Sequence, residues 1–355
     1  MLLPTKANML PIQLTSRYDS NMTNPGWSSP PLQRVLVSLT LLIWASCAAT
    51  MEAKVAPQQR PYVLVLGTAQ DAGLPQIGCD CDRCQTARES PQTRRLVTSL
   101  LLVDPTAGTR YLLDASPDLP EQVELSKAHP REYEGAIVNG ARPQLFDGIF
   151  LTHAHMGHYS GLLQLGREAY GTQGQLIVGT PRLSSFFSES APWKQMLRDG
   201  TFRMETLPSG QLYSLSGDLS IQAIGVPHRD EYSDTVCFIV KTSQASLAYL
   251  PDIDKWSVWG EDQIESLIRS VDYALLDGTF FEDGEIPGRS IDEIPHPFIT
   301  ESMERFAALA EVDRNKVFFT HFNHTNPVST PGSEAAKQVF TAGYGLAREG
   351  MIFEL

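Results

Sequence analysis

The sequence predicts one mixed α/β domain over roughly residues 60–355 of a 355-residue chain. Three observations point there. Short apolar and β-branched runs, punctuated by Gly, Pro and Asp, recur from Tyr62 onward and outnumber helical patterns in the first half. Strand and helix patterns alternate in the second half. No repeat of fixed period is visible.

In chain order, YVLVLG (62–67) reads as a strand stopped by Gly67. VTSLLLVD (97–104) and RYLLDAS (110–116) read as two strands around the turn PTAG. FDGIFLTH (146–153) is a further strand, followed by a helix-like YSGLLQLGREAY. QLIVG, LSIQAIGV, VCFIVK and SLAYL are short strands. EDQIESLIRS has helical spacing with acids at its start, DYALLDG and KVFFTH are late strands, and TESMERFAALAEV is a helix with Thr300 as its cap.

Hydrophobic residues make up 42% of the chain and charged residues 19%, a soluble globular composition. The net charge is −13, from 28 basic and 41 acidic residues, and no Lys/Arg-rich patch stands out. No binding to a nucleic-acid backbone is expected; a small-molecule substrate is. Oligomeric state is not legible.

Residues 1–33 are a polar, aperiodic extension, and 34–50 have the character of a signal segment. Arg34 precedes an apolar run from Val35 to Ala45, too short to span a bilayer comfortably, with small residues after it. The expectation is export, periplasmic or membrane-anchored, with Cys47 placed as a lipidated cysteine would be. A buried helix, or a start upstream of the natural one near Arg34, are the alternatives; the latter implies a cytoplasmic protein.

The chemistry concentrates in FLTHAHMGHYSGLL. His153, His155 and His158 fall within six positions, in a chain with eight histidines, at the end of a strand. Neutral imidazole is a common ligand of zinc and other borderline metals, and a strand-end loop lets ligands converge. His228, Asp252 and His321 each follow an apolar run too, so all could open on one sheet edge. A second cluster, Cys79, Cys81 and Cys84, supplies three thiols suited to tetrahedral zinc lacking one ligand; a disulfide with one free thiol is the alternative. Cys237 reads as core and His129 as surface.

The order THAHMGH, His228, Asp252, FFTHFNH resembles the metallo-β-lactamase family from about Pro61 to Leu355. LGTAQDAGLPQIGCDCDRC, GLLQLGREA, LLDGTFFEDGEI, THFNHTNPV and EGMIFEL make the chain similar, more narrowly, to the PqqB family of coenzyme PQQ synthesis. The resemblance implies an αβ/βα four-layer sandwich. It implies one metal on His153, His155 and His228, a second on His158 and His321, and Asp252 bridging. Asp114 would steady the histidine loop. It implies structural zinc on Cys79, Cys81, Cys84 and His324, and His296 as a proton donor, against the alternative of a Pro-flanked surface residue. Zinc or iron at the catalytic site would activate water against an ester, phosphodiester or amide, or serve PQQ biosynthesis. A phosphodiesterase of cyclic nucleotides or cyclic phosphates, or an exported carrier of PQQ or its precursor, are the other readings. The departure is Gly157, where the family has an aspartate ligand. Its absence leads to the expectation of one well-held catalytic metal and a gain of second-site occupancy in Gly157→Asp; the alternative is that water or a nearby acid such as Asp230 replaces the missing carboxylate.

Overall fold

The apolar runs form strands that are covered on both faces. The computed structural model describes residues 59–127, 129, 142–286, 288 and 294–355. The polar extension 1–33, the segment 34–50 and Cys47 lie outside these. Strands β1 (Tyr62–Gly67), β2 (Ser99–Asp104), β3 (Thr109–Leu113), β4 (Gly148–Phe150), β5 (Gln175–Gly179) and β6 (Phe202–Thr206) come first. They are followed by β7 (Leu212–Ser214), β8 (Ser220–Val226), β9 (Thr235–Lys241), β10 (Ser246–Leu250), β11 (Tyr273–Asp277), β12 (Val317–Thr320), β13 (Gly345–Leu346) and β14 (Ile352–Glu354). One sheet has the order β14-β1-β2-β3-β4-β5-β6 and the other β13-β12-β11-β10-β9-β8-β7. Each is antiparallel on one side and parallel on the other: pairing switches at β3–β4 in the first sheet and at β10–β11 in the second.

Period-two alternation explains the layers. In β1, Val63 and Val65 point between the sheets, where they pack with Leu100, Phe150, Phe238, Tyr249 and Leu275. Tyr62, Leu64 and Leu66 face the other way, toward the helices α2 (Leu119–Ser126), α4 (Pro181–Glu189) and α5 (Trp193–Arg198). The second sheet is covered likewise by α6 (Gln263–Ser270), α7 (Ile299–Phe306) and α9 (Glu334–Thr341) through Ile264, Ile268, Ile299, Phe306 and Val339. The result is helix, sheet, sheet, helix. No helix among the described residues is long and apolar enough to cross a membrane.

Four local expectations are corrected. YSGLLQLGREAY is not a regular helix: α3 covers only Met156–Tyr159, and Ser160–Leu165 is 3₁₀. A Cβ on Gly161 would fall 2.0 Å from the Ser116 carbonyl oxygen, so this segment is shaped by close backbone approach rather than by a helical face. Thr300 is not a cap. The cap is Phe298, two residues earlier; the Glu301 carboxylate accepts the Phe298 N–H at 2.8 Å, and the Thr300 hydroxyl donates to the Phe281 carbonyl at 3.1 Å. The expected helix also breaks after Phe306, and α8 (Glu311–Arg314) is a separate turn. His129 is half-buried, with Nδ1 2.8 Å from the Tyr62 hydroxyl.

Candidate metal centre

The donors sit just beyond the carboxyl ends of strands. Asp71 follows β1, Asp114 follows β3, the histidine loop follows β4, His228 follows β8 and Asp252 follows β10; Asp277 ends β11, and His321 follows β12. Among described non-glycine residues, Asp114 (φ 64°) and His321 (φ 63°) are two of three with left-handed backbone. Strain of this kind persists where surrounding structure over-determines it.

Each imidazole is turned by a partner on one nitrogen. Asp114 Oδ2 accepts from His158 Nδ1 at 2.8 Å, and Asp254 Oδ1 from His228 Nδ1 at 3.1 Å. Glu231 Oε2 lies 3.0 Å from His155 Nε2. His153 Nδ1 donates to the Thr152 hydroxyl at 2.9 Å, and that hydroxyl donates onward to Asp114 at 3.0 Å. His321 Nδ1 reaches the Thr279 hydroxyl at 2.9 Å, which donates to Asp277 Oδ1 at 2.7 Å. A carboxylate only accepts, so in the neutral ring these contacts put the proton on the outer nitrogen and the lone pair on the inner one.

The inner nitrogens converge. His153 Nε2 is 2.9 Å from His155 Nδ1, which is 3.2 Å from His228 Nε2. Asp252 reaches His153 Nε2 at 3.3 Å, His228 Nε2 at 3.5 Å, His158 Nε2 at 3.5 Å and His321 Nε2 at 3.8 Å. Donors about 2.1 Å from a tetrahedral ion stand roughly 3.4 Å apart, so these separations suit a shared cation. His153, His155, His228 and Asp252 form one such donor set, and Asp71, His158 and His321 another.

Electrostatics agree with anionic Asp252 and mostly neutral donors. Burial disfavours the Asp252 anion, yet His228, His321 and His296 hold its carboxyl well below the usual range. Burial pushes His153 well below its ordinary value and lowers His155 and His321. For His158, burial is outweighed by the Asp114 and Asp252 carboxylates, which raise it well above its ordinary value. His296 is buried, 2.9 Å from Asp277 Oδ2 and 3.1 Å from Asp252 Oδ1 through Nδ1. Burial works against its protonation, but the two carboxylates raise it to about 9. It is not a surface-loop residue.

The thiols gather separately, just before and within the first turn of helix α1 (Asp82–Glu89). Cys84 Sγ is 3.5 Å and Cys81 Sγ 3.8 Å from His324 Nδ1, and Cys79 completes the set. Tetrahedral zinc with sulfur and nitrogen ligands spaces them about 3.6 Å apart. All three thiols are free in this arrangement, as ligation of an ion requires.

Asp230 is not in the centre: its carboxylate accepts from the Thr235 hydroxyl at 3.2 Å. Asp71, Thr152, Glu231, Tyr249, Asp254, Asp277 and Thr279 are the contributors that sequence reasoning missed. Asp277 ends a strand as Asp252 nearly does, a signal available in DYALLDG. The Tyr249 hydroxyl donates to Asp114 Oδ2 from inside a strand, where nothing in the sequence marks it.

Two sheets back to back, flanked by helices and carrying histidines and aspartates beyond their strand ends, define the metallo-β-lactamase fold. The beta-lactamase superfamily domain matches residues 109–322, and the chain belongs to that superfamily. Within it, the chain is 30% identical over 317 residues to coenzyme PQQ synthesis protein B of Methylobacterium radiotolerans, covering 82% of this chain and 99% of that protein. The crystal structure of Zn(2+)-bound PqqB from Methylobacterium extorquens matches with a TM-score of 0.68 at 24% identity, over 83% of this chain and 100% of that one. A diphosphatase of the PhnP family matches with a TM-score of 0.56 at 20% identity, over 83% and 97%. At such identities the structural likeness establishes the fold.

Proposed function

We propose that the protein is a metal-dependent hydrolase of a small-molecule substrate, with zinc or iron on His153, His155, His228 and Asp252. The observation that carries this is the convergence of three imidazole nitrogens whose outer nitrogens are tied to carboxylates or a hydroxyl. Lone pairs so close repel unless a cation lies between them. The solved PqqB is Zn(2+)-bound, which favours zinc as a metal that this fold takes; histidine-rich donors suit iron equally. A bound ion there supplies Lewis acidity and activates water for attack. Asp252, held anionic, positions the attacking group. His296, held protonated between Asp252 and Asp277, stands ready to give a proton to a leaving group. The His155–Glu231 pair forms the solvent-facing edge, since Glu231 is 47% exposed while His153 and His228 are buried. Cys79, Cys81, Cys84 and His324 would hold zinc in a closed structural role.

The likeness to coenzyme PQQ synthesis protein B over nearly that protein's whole length favours a second reading, in which the substrate is a PQQ precursor. Metal analysis followed by turnover assays on esters, cyclic nucleotides, cyclic phosphates and PQQ precursors tests both. Metal-dependent turnover that His153→Ala abolishes supports the hydrolase. Tight binding of PQQ or its precursor without turnover would replace it with a carrier. Absence of metal at the histidines defeats every catalytic reading.

A further inference from the structure

We infer that Asp71, on the turn after β1, is a metal ligand: it completes a second ion position with His158 and His321 and occupies the space that Gly157 leaves open. This rests on the metal-dependent reading above and deepens it.

The glycine looks, in the sequence, like a lost carboxylate. In the structure its missing side chain is space already filled. A Cβ built on Gly157 would fall 2.0 Å from Asp71 Oδ1, 2.9 Å from Asp71 Cγ and 2.7 Å from Asp71 Cα. The Asp71 carboxylate therefore stands where a side chain at position 157 would begin, and its backbone passes too close for any Cβ there.

The surrounding atoms lack partners. Asp71 Oδ1, His158 Nε2 and His321 Nε2 are buried and make no hydrogen bond. Each such atom costs about 1–3 kcal/mol, and they face one another. His158 Nε2 is 3.8 Å from Asp71 Oδ1, too long for a hydrogen bond and near the spacing of two ligands on one ion. Asp252 Oδ2 closes the set at 3.5 Å from His158 and 3.8 Å from His321.

The turn that carries Asp71 is also fixed in register. Phe322 N donates to the Thr68 carbonyl at 2.7 Å and Gln70 N to the Phe322 carbonyl at 2.9 Å, so residues 68–71 are stitched to the segment that presents His321. Gly73 N closes the turn on the Gln70 carbonyl at 2.8 Å. A ligand from a distant turn thus arrives with the same rigidity as one on the histidine loop.

The test uses the full protein with Asp71→Ala and the isosteric Asp71→Asn, zinc titrated calorimetrically into metal-free protein, and anomalous diffraction at the zinc edge. Wild type should show anomalous peaks both among His153, His155 and His228 and between Asp71, His158 and His321. Each variant should lose about one equivalent at the second position, or bind it at least about tenfold more weakly, while the first position and the thiol site stay filled. Metal-free Asp71→Asn should melt with wild type but lose part of the zinc-induced rise in Tm, which a merely structural aspartate would leave intact. Equal stoichiometry and affinity in wild type and variants would overturn the inference, with Asp71 then a simple ion-pair partner of His158. Wild type with only the first position filled overturns it and leaves the proposed hydrolase standing; wild type with neither filled defeats both.

Discussion

The thiol cluster, with four donors, and the histidine–aspartate centre, with seven, are assembled in unlike ways. Cys79, Cys81 and Cys84 lie on one short stretch, none of them held by a carboxylate, and Cys81 is exposed. The histidine centre draws on seven strand ends, and each imidazole leans on a hydroxyl or carboxylate partner, buried or half-buried for all but His155, whose partner Glu231 is exposed. A donor set closed by four protein ligands has only to hold its ion, so a local loop suffices. One that must leave a coordination position open has to be held from outside, by the scaffold. The two regions nevertheless share their framework: residues 68–84 carry both Asp71 and the thiols, and residues 321–324 carry both His321 and His324.

Removing an inner ligand should break the comparison most completely. His228→Ala should empty the first ion position and reduce turnover at least about a hundredfold, while the thiol zinc and the metal-free fold persist. Elemental analysis beside a rate measurement checks it; unchanged metal content would dissolve the distinction between the clusters.

Next in size is Gly157→Asp. The sequence alone leads to a gain of metal at the second position. The structure reverses the sign, because the new Cβ meets Asp71 backbone and carboxylate at once. The substitution should destabilise by about 2–3 kcal/mol, as overpacking does, and lower metal uptake. A variant as stable as wild type in a denaturant titration would show that the turn at Asp71 can move aside.

Cys84→Ser should have a smaller and more selective effect. Loss of about one zinc is expected from the thiols. Because residues 68–71 and 320–323 are stitched together beside both clusters, affinity should also fall a few-fold, on the order of 1 kcal/mol, at the Asp71 position. The first position should be unaffected. Equal weakening at both positions would point to general loosening of the fold instead.

What the sequence made legible follows from the range of the interactions involved. β1, β8 and β10 show as apolar runs because burial on one or both faces is written in their own residues. His153, His155 and His158 show because three metal-binding side chains crowd one loop. Asp71 does not, since its role depends on docking between residues more than 200 positions apart, Gln70 against Phe322 and Asn323. Gly157 misled for the complementary reason: a missing side chain in the sequence does not say what fills its space.

The finest test of the shared framework is a pH dependence. The Glu349 carboxylate accepts the Leu96 N–H at 2.8 Å, and the Leu96 carbonyl accepts Thr68 N at 2.9 Å and Ala69 N at 2.8 Å. Glu349 therefore braces the strand edge from which the turn to Asp71 departs. Burial raises its carboxyl from the ordinary 4.5 to about 7. A carboxyl whose folded pKa lies above its unfolded one binds its proton more tightly when folded. The extra stability is present in full below about 4.5, fades as pH rises toward 7, and is gone above it. Glu349→Gln keeps an oxygen to accept the Leu96 N–H and has no charge to bury. It should match wild type near pH 4.5 and exceed it by about 1–2 kcal/mol at pH 8, after allowance for partial solvent screening. Thermal melts of the two metal-free proteins across that range provide the measurement. Parallel curves would mean that Glu349 stays ionised in the fold and that the brace beneath Asp71 is insensitive to pH.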